Sequence, residues 1–513
     1  MKRLLTLLCI FLILPITGCT SKETNSETSS SLSYSLTQEE LDEKLETADI
    51  GVLTGGVDES LVPEDYPNAT IHPFSSNSDI LAAVSANKID YGLCSESQAI
   101  LSAKANDYAF EYCETPLYIM GNAFALSKEN TELTDQINEC ISELKEDGTL
   151  DKLQKKWVND GAYTMEDVPI IKDEDAPILE AAVSCTTEPF AFIYNGEPAG
   201  HDVELIERIA YMLGMRIEIQ QMDFAATITS VVSGKSDVAL SITPTEERAQ
   251  QVDFTEIYHN EKIVVVSKKD NIQKDSIIDT IKDYFTGTFM TEDRWKLFAS
   301  GVEVTVIISV FAYLLGTIIG ALLCLMLMSK NKVVSSIAKV YCKLATGIPI
   351  LVWLMILYYI VFKEFDISGI IVAIIAFGLQ TGASLSGIFK TGIDSVDVGQ
   401  KEAAEALGFN ESTIFRRIIF PQAALKIFDL YKGEFVSVVK TTSIVGYIAI
   451  SDLTKVSDIV RSRTYQAFFP LIATAIIYFV ITYLFILLLN QIQKKINPKL
   501  RKQSKILKNI KTL

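Results

Sequence analysis

The 513-residue sequence predicts an α/β domain followed by an all-α membrane region of five spans. Up to about residue 298 it is acidic and reads as a soluble protein. Beyond that come apolar runs such as GVEVTVIISVFAYLLGTIIGALLCLMLM, long enough at about 1.5 Å per residue to cross a hydrocarbon core of about 30 Å. Residues 178–268 set the class of the first half, because they alternate strand-like and helix-like stretches: ILEAAVSC, HDVELIERIAYMLGM, RIEIQQM, FAATITSVVSG and SDVALSI. This is a βαβ rhythm, whose crossovers are right-handed. The net charge of −18 sums an acidic soluble half and a Lys/Arg-rich membrane half, so no basic face for nucleic acid is implied. The eight cysteines form no C-x-x-C pair and His72, His201 and His259 lie far apart, so no zinc or redox site is expected. Cys94, Cys113, Cys140 and Cys185 read as buried free thiols in preference to a disulfide.

Taken in chain order, the first nineteen residues, MKRLLTLLCIFLILPITGC, have a basic start, a short apolar core and small residues, the pattern of a secretory signal. Their end, Ile16-Thr17-Gly18-Cys19, resembles the lipobox of bacterial lipoproteins. That resemblance implies a lipidated Cys19 held at the membrane lipid; an uncleaved anchor is the alternative. Residues 20–36 are rich in Ser, Thr and Glu without apolar periodicity and read as a flexible tether.

The membrane half has apolar segments at about 300–328, 344–362, 367–389, 428–450 and 468–490. Lysine and arginine crowd the loop after the first segment, the loop after the third and the tail 497–513, which assigns those sides to the cytoplasm. The loops at 363–366 and 452–466 then face outward, together with the soluble half. Residues 401–421, KEAAEALGFNESTIFRRIIFP, fall on the cytoplasmic side. Ala403, Ala404 and Ala406 make a thin helix, Gly408 permits a sharp turn, Asn410 can cap a second short helix, and Pro421 is expected to end it. Glu402-Ala403-Ala404, Gly408, Ile418 and Pro421 match the spacing E-A-A-x3-G-x9-I-x-L-P, with Phe420 in place of the leucine. This resembles the EAA loop of ABC importer permeases, and GQKEAAEALGF with KTTSIVGYI (440–448) resembles their polar amino-acid branch.

The resemblance implies that Glu402, Ala403, Ala404 and Gly408 couple the permease to a cytoplasmic ABC ATPase, and that the permease dimerises. Glu434 and Lys440 lie in or beside the fourth segment, where ionised groups are costly and face protein or water. They are candidates for the translocation path, although Lys440 can equally snorkel to an interface. The chain itself carries no P-loop: its Gly-Lys-Ser, Gly234 to Ser236, has Thr229 where the first glycine is needed. ATP-Mg is therefore expected on the partner subunit, with no cofactor or metal in this chain.

EPFAFIYNGEPAGHDVELIERIAYMLG, VSGKSDVALSITPTEERAQQVDFTEIY and KIVVVSKK resemble the first lobe of type II solute-binding proteins for amino acids. The pieces that should follow lie upstream instead: TADIGVLTGG (47–56) and IHPFSSNSDILAAVSANKIDYGLCSES (71–97) resemble the second lobe, and LTDQINECISELKEDGTLDKLQKKW (133–157) the closing helices. The expected fold is thus a two-lobed type II periplasmic-binding-protein-like domain in circularly permuted order. Residues 37–130 form mainly lobe 2, 131–258 mainly lobe 1, and 259–268 return to lobe 2. A linker at 269–298 leads to a permease at 299–496.

Carried across residue by residue, the resemblance places Arg248 on a ligand carboxylate, where a guanidinium fork makes two charge-assisted hydrogen bonds. Ser241 and Thr243 assist, Phe224 forms an aromatic wall, and Gly55 and Gly56 offer backbone N–H groups. The acidic residue expected on an α-ammonium group is replaced by Ser95, with Glu96 one place later, and the aromatic expected two residues before Pro-Phe is Thr187. Glu96 is the candidate for the ammonium and Tyr194 for the missing ring; a ligand without an α-ammonium is the other way out. The function implied is the binding and membrane-spanning component of an ATP-dependent importer for polar amino acids or related small carboxylates. The alternative is a ligand-gated channel or surface receptor, against which stand the EAA loop and the expected lack of a re-entrant segment. A dehydratase on the binding fold has no clear acid–base pair to support it.

Overall fold

The computed structural model describes residues 33–105, 110–161, 163–165, 168–269, 277–363, 365, 367–466 and 468–496. The signal segment with Cys19, most of the tether and the tail 497–513 lie outside the described residues. The soluble half begins with β1 (Ser33–Tyr34), α1 (Gln38–Leu45), β2 (Asp49–Leu53), α2 (Asp58–Asp65), β3 (Thr70–Phe74), α3 (Asn77–Ser85), β4 (Tyr91–Ser95), α4 (Glu96–Ala105) and β5 (Phe110–Cys113). Then come β6 (Tyr118–Ser127), α5 (Thr131–Glu146), α6 (Thr149–Leu153), β7 (Ile178–Val183), β8 (Thr186–Thr187), β9 (Ala191–Tyr194), β10 (Glu197–Ala199) and α7 (His201–Met212). It closes with β11 (Arg216–Gln221), α8 (Phe224–Ser233), β12 (Val238–Ile242), β13 (Val252–Phe254) and β14 (His259–Lys268).

Eleven of these strands share one sheet, ordered β11-β7-β12-β6-β14-β4-β2-β3, with β1, β5 and β13 at its sides. Two strands carry the sheet from one lobe to the other. β6 pairs with β14 over its first half, His259 opposite Asn122, and with β12 and β13 over its second, Phe254 opposite Ala125. β14 continues onto β4, Val264 opposite Cys94. Local signals place the elements around this frame. The Thr37 hydroxyl accepts the Glu40 N–H at the start of α1, and the Glu40 side chain returns the bond to the Thr37 N–H. Along α5, Leu133, Ile137, Ile141 and Leu144 recur at helical spacing and join Phe124, Trp157 and Leu179 in the largest soluble core. The Trp157 indole N–H donates to the buried Glu204 on α7 at 2.7 Å, and Lys156 and Arg208 complete its pairing.

Two expected boundaries move. Ser33–Tyr34, inside the expected tether, pairs in parallel with β5. The expected linker is largely helical, with α9 (Ile277–Phe285) followed by short turns before α10 (Trp295–Leu327).

The membrane half continues with α11 (Lys332–Gly347), α12 (Ile350–Ile356), α13 (Gly369–Asp394), α14 (Val398–Ala406), α15 (Glu411–Ile414), α16 (Phe420–Thr441), α17 (Leu453–Thr464) and α18 (Phe468–Ile496). By length and composition three helices can cross a membrane, α10, α13 and α18, or up to five when each of two bent pairs counts as one. The segment expected as one span at 344–362 is broken: Lys332–Gly347 and Ile350–Val361 meet at 106°. Pro349 is the cause, since the residue before a proline avoids helical geometry and Ile348 is extended. A bend of that size is also the shape of a re-entrant loop, so the expected lack of one is not an argument against a channel. Residues 452–466, expected as a loop, form α17. Pro421 does not end a helix either: the chain stays helical from 411, widens to a π-turn at Phe415–Ile419, and places Pro421 in the first turn of α16. A proline is tolerated there because the N–H it lacks has no helical partner to lose.

α10 and α13 touch through paired small residues. A Cβ on Gly316 would meet the Thr381 Cβ at 2.8 Å, and one on Gly320 the Leu385 Cβ at 2.8 Å and the Gly382 carbonyl at 3.0 Å. Such close backbone approach is how membrane helices gain packing without a hydrophobic driving force. Gly320→Leu should therefore lower stability by about 1–3 kcal/mol. Thermal unfolding of the detergent-solubilised chain checks this, and an unchanged melting temperature would refute the close packing.

Candidate functional site

A cavity of about 130 Å³ lies between the lobes. One wall comes from the segments around α8, β12 and the turn after it, the other from the β2–α2 turn, α3 and β4, and β14 with β6 forms the floor. Arg248, in a short turn after Thr245, donates from Nη1 to the Thr243 carbonyl at 2.7 Å and from Nη2 across the cleft to the Gly55 carbonyl at 2.5 Å. Its guanidinium stands 5.8 Å from the centre of the Phe224 ring. Ser241 has φ +59°, a left-handed conformation costly for a residue with a side chain. Its hydroxyl donates to the buried Asp202 carboxylate at 2.5 Å, which also accepts from the Tyr258 hydroxyl at 2.8 Å and pairs with His201 at 2.8 Å. Burial alone would raise the Asp202 pKa, but these bonds from His201, Ser241 and Tyr258 hold it below the ordinary value. The Asp202 cluster thus fixes the backbone from which Thr243 and Arg248 are presented.

Of the residues read from the sequence, Arg248, Ser241, Thr243, Phe224, Gly56 and Ser95 line this cavity, and Gly55 touches it through the Arg248 bond. Three expectations change. The N–H groups of Gly55 and Gly56 are already used, on the Glu59 carboxylate at 2.7 Å and the Leu53 carbonyl at 2.8 Å. Glu96 does not line the cavity: it opens α4 just after Ser95 and pairs with Lys262 at 3.2 Å instead. Tyr194 packs in the aromatic group of lobe 1, its ring centre 5.9 Å from Tyr163, and does not line the cleft.

Phe190 and Glu261 are among the lining residues that the sequence reading did not single out. Phe190, buried after Pro189, stands 5.0 Å from the His259 ring. Glu261, on β14, has an enclosed Oε1 without a hydrogen-bond partner, and burial pushes its pKa up to about 8, while a bond from Ser95 opposes the rise. Strand parity was the available signal: Glu261 shares the face of Ile263 and Val265, so an ionisable residue stands where the alternation calls for an inward one. Burial likewise pushes Asp58, at the cleft edge, up to about 6. No group of three or more His, Cys, Asp or Glu fit to hold a metal occurs among the described residues.

At the other end of the molecule, α14 leaves Glu402 and Ala403 exposed and buries Ala404. Gly408 follows at φ +80°, a conformation that suits glycine, and Asn410 caps α15 by accepting the Thr413 N–H at 2.9 Å. Leu407 and Phe409 are 77% and 46% exposed, leaving an unpartnered apolar edge on this loop. Glu434 is half-buried on α16, and Lys440 is exposed in its last turn.

Residues 61–160 and 179–511 match the bacterial extracellular solute-binding proteins, family 3. The chain belongs to this family. Its second half also aligns with transport permeases: the putative glutamine transport system permease protein GlnP of Rickettsia typhi is 35% identical over 199 residues, covering 38% of this chain and 90% of that protein. The nopaline transport system permease protein NocM of Agrobacterium fabrum is 32% identical over 220 residues, 40% of this chain and 90% of that protein. A crystal structure of an amino acid ABC transporter is 32% identical, covering 44% of this chain and all of that one, with a TM-score of 0.37. This family 3 protein therefore joins a solute-binding domain to an ABC-importer permease in one multi-pass membrane chain. It is a transport component and not an enzyme, and its ATPase is a separate subunit.

Asp202→Ala would strand the Ser241 and Tyr258 hydroxyls and His201 in the core. The expected loss is on the order of 3 kcal/mol, read as a lower melting temperature of the purified chain; a loss within experimental error would remove Asp202 as the support of this wall.

Proposed function

We propose that the chain captures a polar amino acid, or a related small carboxylate bearing an ammonium group, and hands it to its own permease. The observation that carries this reading is the pairing of opposite chemistries in one cavity: Arg248 on one side and the Glu261 carboxyl, whose Oε1 has no hydrogen-bond partner, on the floor. Arg248 would grip the ligand carboxylate with Ser241 and Thr243, Phe224 and Phe190 would flank it, and Glu261 beside Ser95 would take the ammonium group in place of Glu96. The names of relatives that transport glutamine and nopaline are in keeping with such a ligand. Nothing covalent happens to it. Closing the lobes on it would favour one permease state.

The same reading holds the binding domain to be circularly permuted. It is supported by β14 pairing with β4, and β4 in turn with β2, so that residues 266 and 50 lie two strands apart. Taking the bent pair 332–361 as one span and residues 420–448 as the fourth, with α17 outside the membrane, gives five, with loops 329–331 and 395–419 and the C-terminus in the cytoplasm. There the exposed Leu407 and Phe409, beside Glu402, Ala403 and Gly408, would be covered by the ATP-Mg-binding subunit. Two permease copies would form the pathway, with Glu434 and Lys440 as candidates to line it. The signal at 1–19 and lipid on Cys19 belong to this reading as well. ATP-dependent uptake into vesicles holding the partner ATPase tests it, and a ligand-evoked current without ATP would favour the channel.

A thermal-shift screen of the full chain against amino acids should find a stabilising ligand, worth about 2.7 kcal/mol at a hundredfold excess over Kd. Arg248→Ala should abolish the shift, and an unchanged response would remove Arg248 from the site. The Glu261 pKa, raised from 4.5 to about 8 in the empty protein, has two consequences. Its stabilising protonated form is fully present below pH 4.5 and is lost as pH rises through about 8. An ammonium ligand needs the carboxylate, so affinity should fall about tenfold per pH unit below that value, with a proton released on binding. Calorimetry in buffers of different ionisation enthalpy reads this; Glu261→Gln should bind weakly and without the pH slope, and an equal slope in both proteins would exclude Glu261.

A further inference from the structure

We propose that α17, the short helix between the last two membrane segments, is a bridge that grips both lobes at once and transmits their closure to the spans. Its N-terminal end is fastened to the membrane helices. The Leu453 N–H donates to the Thr305 hydroxyl of α10 at 3.2 Å, and the Tyr478 hydroxyl of α18 donates to the Asp452 cap at 2.9 Å. Beyond this end, Val456 and Val460 still pack in the core of the membrane helices, and the other faces of α17 meet the lobes; its three long cations are 4–7% exposed at the side chain.

Each cation is committed to a partner outside its own helix. Lys455 pairs with Asp223 of lobe 1 at 2.7 Å and donates to the Met222 carbonyl at 3.0 Å. Arg463 pairs with the buried Glu188 of lobe 1 and with Glu292 before α10, and it lies 4.6 Å from the centre of the Phe192 ring. Arg461 instead pairs with Asp79 on α3 of lobe 2, while its carbonyl accepts the Ser78 hydroxyl at 3.0 Å. Apolar contacts divide in the same way: Ile459 enters the lobe 1 core with Trp157, and Tyr465, just after the helix, enters the lobe 2 core with Ile80 and Val84.

Both lobes are therefore tied to one helix three turns long. Any motion that separates them must break either the Arg461–Asp79 pair, leaving Arg461 with only Asp458 of its own helix, or the Lys455–Asp223 and Arg463–Glu188 pairs, leaving Lys455 buried without its carboxylate and Arg463 with only Glu292. A closed binding domain pairs all three cations with carboxylates, while the start of α17 joins α10 to α18. An opened one releases at least one side of the bridge. The inference rests on the reading of the cleft as the ligand site, but its test needs neither ligand nor transport.

Hydrogen exchange of the full chain in lipid nanodiscs, read by mass spectrometry, tests it at residues 53–56 and 241–248. These form the Arg248–Gly55 side of the cleft and hold none of the α17 partners named above. Arg461→Asp should speed exchange in both segments while β7 stays protected, and the double variant Arg461→Asp with Asp79→Arg should restore protection. Unchanged exchange in the single variant, or an effect confined to residues 75–79, would overturn the bridge. Should the single variant also loosen β7, the double variant decides: recovery supports the proposal and continued loss overturns it.

Discussion

Antiparallel pairing of β14 with β6 on one side and β4 on the other is the interaction on which the rest of the soluble half depends. β14 has no solvent face along its middle. Val264 packs into one lobe 2 cluster and Val265 into another, on opposite sides of the strand. Its first half carries Glu261 to the floor of the cleft, and its second half holds the N-terminal strands in register. Because β6 crosses beside it, two adjacent strands form the connection between lobes, a geometry that resists shear and permits bending. The cleft exists where these strands pass from one lobe to the other.

Charge is handled in two ways around that cleft. Glu204 and Asp202 are buried with their hydrogen bonds filled, so they act as structure. Glu261 is enclosed with one oxygen unfilled, and the empty protein favours its neutral form. A carboxyl on a cavity floor with one enclosed oxygen unfilled is placed to meet a donor on a ligand. The helix α17 shows the structural use of charge at larger scale, where Lys455, Arg461 and Arg463 are buried only because carboxylates from both lobes reach them.

Much of this was legible in advance where the signal was local. The α14 to α15 turn with Gly408 and Asn410 follows from spacing and capping chemistry, and the placing of Arg248, Ser241 and Thr243 at the cleft was implied by the family resemblance. Failures occurred where a neighbour from far away decides. Glu96 was a reasonable candidate until it opened α4 and paired with Lys262, and Tyr194 was claimed by the aromatic group around Tyr163. Pro421 was read as a stop because proline breaks helix interiors, but a π-turn before it converts the site to a first turn.

By itself, the sequence determined that an acidic α/β half precedes apolar helices, which residues lie on the exposed turn at 401–421, and which arginine could hold a carboxylate. The first two depend on composition, periodicity and residues close together in the chain, and the arginine was implied by the resemblance to type II solute-binding proteins. Only the tertiary structure decided that Glu261 faces Arg248 across the cavity, that residues 452–466 form a helix, and that this helix ties Asp79 to Asp223 and Glu188. The ion pairs of this helix join residues hundreds of positions apart, and no local rule fixes which carboxylate a buried cation will meet.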